Sequence, residues 1–251
     1  MEQAITPMPP TTIERPFPSI WAGLGMLFFY IFCQLVIASL AGIIVLVVQG
    51  RLTGIVAVPE QFADMKIMAF PALWGIVAAN ITALLVSWLY LRKDNRTVKI
   101  GLKNWSRLSL QSTILIAGAL ISGAYIISYV YSEYLFPGMD LQKMTNEMIA
   151  AIPRTPVNWL FLIFAISILP GIAEELIFRG FLQNSFANHM PQFAAIGLSS
   201  ALFAAMHMQL YAFPLLFILG AIFGYLYYKT GSLRVNILLH VLNNAAALLF
   251  S

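Results

Sequence analysis

Charged residues are scarce in this sequence, and their scarcity decides its class. They make up 10% of the 251 residues, whereas hydrophobic residues make up 60%. A soluble domain has about a quarter charged residues, so this composition excludes an ordinary soluble protein and indicates a polytopic membrane protein. No stretch is polar enough to form a second, soluble globular domain.

Cysteine is almost absent as well. The single Cys33 lies in the first apolar run, which excludes a disulfide framework and a cysteine-based zinc site. No basic face with interleaved aromatic residues is present, so nucleic acid is excluded as a partner. Residues 1–19 lack the basic start of a secretory signal, and the uncharged run after them is too long for one. We therefore predict a retained transmembrane helix there.

Apolar runs predict an all-α membrane bundle of about seven transmembrane helices, with six to eight as the range, around a polar cavity. Six of the predicted spans are about 21–49, 67–91, 112–134, 193–208, 213–228 and 235–250. The remaining span, the fourth in chain order, begins near residue 159 and carries the two glutamates described below. The chain divides into a polar tail (1–19), N-terminal transmembrane helices (20–158) and helices that carry the polar motifs (159–251). Within the second part lie a basic loop, 92–107, and a segment, 138–158, whose helical spacing of apolar residues predicts a short helix in the membrane interface.

Basic residues in the short connectors indicate the orientation of the chain. Placing the loop 92–107 in the cytoplasm puts nine lysines and arginines inside and four outside. The nine are Arg15, Arg92, Lys93, Arg96, Lys99, Lys103, Arg107, Lys229 and Arg234, and the four are Arg51, Lys66, Lys143 and Arg154. The positive-inside rule therefore predicts a multi-pass protein with a cytoplasmic N-terminus, in the cell membrane if the chain is bacterial.

Glu174 and Glu175 lie in a run that otherwise predicts a membrane-buried helix. An ionisable residue near a bilayer centre costs about a few kcal/mol, so it needs a partner or a water-filled cavity. Arg179 shares a helix face with Glu175 and can neutralise it. Glu174 is turned about 100° away, which leaves its carboxylate available. The preceding Pro170-Gly171 predicts a helix break beside a hydrated pocket.

Two later apolar runs carry polar partners at the same four-residue spacing. Phe203 and His207 form one pair, and His240 and Asn244 form the other. An imidazole at His207 can hold a water molecule against Glu174, which would act as the base. His240 and Asn244 can donate hydrogen bonds to a developing oxyanion. These are the groups that hydrolysis of an amide needs.

Three ordered motifs resemble those of one protein family. EELIFR at 174–179, FAAMH at 203–207 and HVLNN at 240–244 are similar to EExxxR, FxxxH and HxxxN. These motifs belong to the CAAX-protease and bacteriocin-processing intramembrane proteases, which include the Ras-converting CAAX endoprotease. The resemblance covers about residues 159–250, and the first half is similar only in being transmembrane. Each motif is weak alone, but the ordered trio on hydrophobic segments is specific.

The resemblance implies a helical bundle whose cavity opens to the cytoplasm, and it implies roles for the motif residues. Glu174 would activate water together with His207, and His240 and Asn244 would form the oxyanion site. The supporting residues would be Glu175 and Arg179.

The resemblance also raises the question of a metal, because family members have been called metalloproteases. A zinc ion would be held by Glu174 or Glu175 together with His207 and His240. No HExxH motif is present, however, and both imidazoles have metal-free roles. We therefore favour a glutamate mechanism without a metal or other cofactor.

These observations predict an endopeptidase that cleaves a membrane-associated or hydrophobic peptide, in CAAX-type or in bacteriocin or leader processing. The expected partners are a peptide or lipidated-protein substrate and membrane lipids, and the oligomeric state stays open. One alternative is a non-catalytic membrane scaffold or bacteriocin self-immunity protein. Another is a proton-coupled transporter with Glu174 as its relay, which the lack of an internal repeat disfavours. The polar side chains would then be a buried ion pair, a packing histidine and interhelical hydrogen bonds.

Simple helix geometry predicts a difficulty in joining Glu174 to His207. Counted from the outer start of span four and the inner start of span five, they lie about 22 and 20 Å along their helices. In a hydrocarbon core about 30 Å thick, their depths would differ by roughly 10 Å. A shared water molecule requires the two side chains to lie closer than about 10 Å to each other.

Overall fold

The computed structural model describes residues 17–49, 65–93, 95–137 and 143–249. These residues form helices and connections with no strand among them, which confirms the all-α prediction. In chain order, the helices are α1 (Ile20–Val48), α2 (Met65–Leu91), α3 (Arg96–Lys99), α4 (Leu110–Leu135), α5 (Lys143–Ala150), α6 (Pro156–Ala187), α7 (Gln192–Met206), α8 (Phe213–Thr230) and α9 (Leu233–Leu249).

Seven of these helices correspond to the seven predicted spans. Five of them, α1, α2, α4, α6 and α8, are long and apolar enough to cross a membrane, and α7 and α9 are shorter apolar helices. Large apolar side chains such as Leu40, Ile114 and Leu160 are exposed on the outside of the bundle. Such a surface suits lipid rather than water, so the chain is a multi-pass membrane protein.

Helix α6 differs from the prediction at Pro170. The expected break is absent, and the helix continues through the proline. A π-helical segment, Ile163–Ile168, comes just before it, and there the Leu169 N–H donates to the Phe164 carbonyl five residues back. The hydrogen-bond ladder is thus already shifted where the ring enters, which explains why the proline is tolerated. A second π-helical segment, Leu176–Gln183, follows the glutamates.

Close contact between α6 and α9 fixes the two helices that carry most of the motif residues. A Cβ atom added at Gly171 would lie 2.8 Å from Val241 Cγ2, so only glycine permits this approach. The Ser167 hydroxyl also donates to the Val241 carbonyl at 2.7 Å. The backbone of α9 is therefore held against α6 next to His240.

The basic loop 92–107 packs against the turn between α8 and α9. The Arg107 N–H donates to the Thr230 carbonyl at 2.7 Å, and Arg234 Nε donates to the Leu102 carbonyl at 2.6 Å. The loop and this turn therefore lie at the same end of the bundle. The count of basic residues also placed the loop 92–107 on the same side as Lys229 and Arg234, next to this turn. The cytoplasmic location of that side stays a prediction.

Some predictions fall outside the described residues: those on 1–16, including Arg15, on Arg51 and on 138–142. The predicted short helix of the interfacial segment is α5. Ile149 in α5 and Ile152 just after it pack in a buried cluster with side chains of α2 and α6. This apolar face is therefore covered by protein. The boundary at 158/159 is not tested by the fold.

Candidate active site

Glu175 and Arg179 form a buried ion pair within α6. Arg179 Nη1 donates to Glu175 Oε1 at 2.7 Å, and the two side chains are only 1% and 0% exposed. Arg179 Nη2 donates to the Gly220 carbonyl at 2.8 Å, and the guanidinium lies 5.0 and 5.5 Å from the ring centres of Phe203 and Phe223. The charge is thus held by an ion pair, a carbonyl and two aromatic faces.

Glu175 has two further partners on α9. His240 Nδ1 lies 2.8 Å from Oε1, and Asn236 Nδ2 donates to Oε2 at 3.1 Å. The carboxylate therefore accepts three hydrogen bonds inside an apolar core, where an unsatisfied charge would be costly. Sequence reasoning missed Asn236. Its only signal was its position four residues before His240, which places it on the same face of α9.

The contact with Glu175 fixes the His240 ring. A carboxylate can only accept, so His240 Nδ1 carries a hydrogen and Nε2 is directed elsewhere. Nε2 lies 3.6 Å from Glu174 Oε2, which is longer than a hydrogen bond. Phe223 stacks on the imidazole with ring centres 4.8 Å apart. The ring is thus held between Glu175 and Phe223, with Nε2 toward Glu174.

Glu174 is the more accessible of the two glutamates, at 14% exposed. Two cavities meet at its side chain, and Glu174, His207 and Pro170 line both of them. The first cavity has a volume of about 560 Å³ and is bounded largely by α1, α2 and α7. The second has a volume of about 250 Å³ and reaches α9. The pocket predicted beside Pro170 is therefore present as a cavity.

His207 follows the last residue of α7. Its Nδ1 lies 2.8 Å from the Phe203 carbonyl oxygen, and because that oxygen can only accept, Nδ1 carries the hydrogen. The neutral ring then has an acceptor at Nε2. Phe203 contacts the imidazole with ring centres 4.8 Å apart. This is the backbone bond that a packing histidine would make, and it also fixes the ring beside both cavities.

The predicted depth difference does not keep Glu174 and His207 apart, because both line the same two cavities. The prediction counted α6 from its outer start. That helix has 32 residues and is about 48 Å long, well beyond a core about 30 Å thick, so its outer start is no measure of depth. Counted from the turn that joins α6 to α7, Glu174 and His207 lie about 20 and 22 Å along their helices.

All four predicted catalytic side chains line the second cavity: Glu174, His207, His240 and Asn244. The predicted supporting residues, Glu175 and Arg179, lie behind His240 and do not line it. The arrangement combines a carboxylate, two imidazoles and an amide in one polar site inside an apolar bundle.

The donor set does not fit a metal ion. Among the described residues, no three His, Cys, Asp or Glu side chains are grouped closely enough to hold one. Glu175 Oε1 and His240 Nδ1 are also hydrogen-bonded to each other, so neither atom is available as a ligand. We therefore derive no step through zinc, and whether the reaction requires a metal stays a prediction.

Comparison with known proteins gives three matches. Residues 156–246 match the family model of the Type II CAAX prenyl endopeptidase Rce1-like proteins. Over 219 residues the chain is 27% identical to the membrane-embedded CAAX protease MroQ of Staphylococcus aureus, covering 79% of this chain and 87% of the relative. It is 29% identical to the putative membrane peptidase YdiL of Bacillus subtilis over 189 residues, 73% of each chain. No solved structure matches.

Proposed function

We propose that this chain is an intramembrane endopeptidase of the CAAX-protease and bacteriocin-processing family, since residues 156–246 match the Rce1-like family model and two membrane proteases or peptidases are similar to most of the chain. The observation that carries the proposal is the second cavity, where Glu174, His207, His240 and Asn244 converge. Such a set is costly to keep inside an apolar bundle unless it has a function.

In the proposed reaction, Glu174 removes a proton from a water molecule that also donates a hydrogen bond to Nε2 of His207. The water oxygen bonds to the carbonyl carbon of the scissile peptide and forms a tetrahedral intermediate. The Asn244 amide donates a hydrogen bond to the oxyanion of this intermediate. His240 Nε2 donates a second one when the imidazole carries both hydrogens. Glu174 then delivers the proton to the leaving nitrogen as the C–N bond breaks.

Glu175, Arg179 and Asn236 support this reaction from behind the cavity. Their hydrogen bonds keep His240 Nδ1 occupied, so that Nε2 is the nitrogen directed at the reacting atoms. In metal sites, partners that orient an imidazole in this way contribute about 10- to 100-fold to activity, and we expect an effect of this size here.

We propose a membrane-associated or hydrophobic peptide as the substrate, of the CAAX type or a bacteriocin or leader peptide. The name of the staphylococcal relative contains CAAX protease, which supports the first of these. Helix α9 begins at Leu233, at the end of the bundle where the basic loop 92–107 packs. His240 lies about 10 Å along α9 from this start. With a cytoplasmic N-terminus, the substrate would reach the site from the cytoplasmic side.

The test is cleavage of internally quenched peptides by the purified protein in detergent. The panel contains a farnesylated peptide with a C-terminal CAAX sequence and an unprenylated apolar peptide. We expect one of them to be cut, and cleavage in H₂¹⁸O should place ¹⁸O in the new carboxyl terminus, as mass spectrometry would detect. Binding without cleavage would instead identify a scaffold, and proton-driven peptide uptake into liposomes would identify a transporter. Either result would contradict the proposal.

Asn244→Ala is expected to lower kcat by about 10²- to 10³-fold with little change in KM, because an oxyanion donor acts mainly in the transition state. The matched control is Asn243→Ala, since Asn243 is the neighbouring residue and is not among those that line the second cavity. Equal losses in the two variants would show that α9 is merely sensitive to substitution and would refute the oxyanion role of Asn244.

Prolonged dialysis against EDTA and 1,10-phenanthroline is expected to leave the cleavage rate unchanged. The physical reason is that the described His, Cys, Asp and Glu side chains form no three-ligand group. Elemental analysis of the purified protein should find far less than one zinc ion per chain. Loss of activity that added Zn²⁺ restores would overturn the metal-independent mechanism.

A further inference from the structure

A polar pair from the first two helices faces the proposed base. The Tyr30 hydroxyl in α1 donates to Asn80 Oδ1 in α2 at 3.1 Å. Both side chains are only 1% exposed, and both line the first cavity together with Glu174 and His207. The Tyr30 and Glu174 side chains thus border the same open volume from different helices. Neither residue belongs to the segment matched by the family model.

The Asn80 amide determines which part of the Tyr30 hydroxyl faces the cavity. Asn80 Nδ2 donates to the Ile76 carbonyl at 2.9 Å, so Oδ1 is the atom that remains for Tyr30. Because the hydroxyl hydrogen is directed at Oδ1, the tyrosine oxygen presents lone pairs to its other neighbours. Gln34, one turn along α1, lines the same cavity beside this oxygen.

The position of Tyr30 is set by tight packing of α1 on α6. Tyr30 lies two turns after Gly23 and on the same buried face. A Cβ atom at Gly23 would collide with the Ser185 hydroxyl of α6. The helix that carries the tyrosine is therefore held directly against the helix that carries Glu174.

The rest of the first cavity wall gives little for a polar group to bind. Apart from Tyr30, Gln34, Asn80, Glu174 and His207, its lining is apolar. The Tyr30–Asn80 pair joins α1 to α2, as interhelical hydrogen bonds do in membrane bundles, and it also places a polar oxygen at the cavity. A water molecule beside Glu174 would find hydrogen-bond acceptors on this side at the tyrosine oxygen and at the Gln34 side-chain carbonyl.

We propose that Tyr30, fixed by Asn80, is a positioning residue that accepts one hydrogen of a second water molecule, whose other hydrogen is donated to the Glu174 carboxylate. This water bridge holds the carboxylate toward the reacting water molecule, which Glu174 shares with His207. This inference rests on the proposed peptidase function and adds the N-terminal helices to its active site.

Tyr30→Phe tests the proposal with the quenched peptide that the wild-type protein cleaves. The variant keeps the ring and loses only the oxygen, so we expect kcat to fall about 10- to 100-fold while KM is unchanged, as expected for a misplaced reactant. Asn80→Leu should produce a similar loss, because the hydroxyl hydrogen is then no longer directed away from the cavity. The double variant should lose no more than either single variant, since the pair acts as one unit.

Tyr227→Phe is the matched control. The Tyr227 hydroxyl is also buried, donates to the Ile100 carbonyl at 2.9 Å and accepts from Asn184 Nδ2 at 2.7 Å, but Tyr227 lines neither cavity. This variant should unfold at a lower temperature and keep its kcat. A wild-type kcat in Tyr30→Phe, or an effect on KM alone, would refute the positioning role.

The same experiments separate this inference from the proposed function. If Glu174→Gln is inactive and Tyr30→Phe has normal kcat, only the role of Tyr30 is wrong. If Glu174→Gln cleaves normally, the proposed mechanism is wrong and the role of Tyr30 falls with it.

Discussion

Glu174→Gln is expected to abolish peptide cleavage while leaving the fold intact. Glutamine has nearly the same shape but cannot take a proton from water, and a positioned general base typically contributes about 10²- to 10⁴-fold. The loss should appear in kcat, measured with the quenched peptide in detergent. Stability should change little, because Glu174 borders two cavities and lies 3.6 Å from His240 Nε2.

The control for this variant is Glu133→Gln. Glu133 is an exposed carboxylate near the end of α4, so its substitution removes one negative charge without touching either cavity. Peptide binding by Glu174→Gln should match that of the wild type, and the two proteins should unfold at the same temperature. Cleavage by Glu174→Gln at the wild-type rate would show that another group is the base.

The two adjacent glutamates have different physical situations, which explains why they are assigned different roles. Glu175 accepts three hydrogen bonds and is fully buried, so its carboxylate has no capacity for a substrate. Glu174 faces open volume instead. A residue that is costly in an apolar bundle and lacks such a set of partners is the better candidate for chemistry.

Much of this site could be predicted from local spacing along single helices. The pairing of Glu175 with Arg179 follows from a separation of four residues, and so does the shared face of His240 and Asn244. The order of the three motifs on successive apolar segments indicated that they meet in space. Helix periodicity does not, however, give the distances between helices. The hydrogen bond between His240 and Glu175 could therefore not be predicted.

Most of the missed features depend on contacts between helices or on helix length, and one depends on the local backbone of α6. Asn236 and Tyr30 are ordinary residues in apolar runs, and only packing of α9 on α6 and of α1 on α2 reveals their partners. The expected separation of Glu174 from His207 came from counting α6 from its outer start, and hydropathy predicts the existence of a span better than its ends. The predicted break at Pro170 was wrong because a neighbouring π-helical segment accommodates the proline.

Arg179→Met is expected to cause the largest loss of stability. Methionine fills much of the same volume, but Glu175 is then left as a buried carboxylate without its cationic partner. Breaking a buried pair in this way costs about 3–5 kcal/mol. The aromatic faces of Phe203 and Phe223 also lose the guanidinium that lies between them. Thermal unfolding in detergent should therefore occur at a clearly lower temperature.

The double variant Glu175→Gln/Arg179→Met separates charge from packing in this network. Removing both charges eliminates the unpaired ion, so most of the lost stability should return. Activity should not return, because a neutral amide holds His240 Nδ1 less firmly than the Glu175 carboxylate does, and the ring that donates to the oxyanion is then less well oriented. A stable double variant with low kcat would thus assign Glu175 to positioning as well as to folding.

Arg154→Met provides the comparison for the loss of one positive charge, since Arg154 is exposed just before α6. It should keep both the unfolding temperature and the kcat of the wild type. If Arg179→Met were equally harmless, the buried ion pair would not stabilise the bundle. If the double variant regained full activity, His240 would not depend on the Glu175 carboxylate, and the oxyanion would have to be bound without an oriented imidazole.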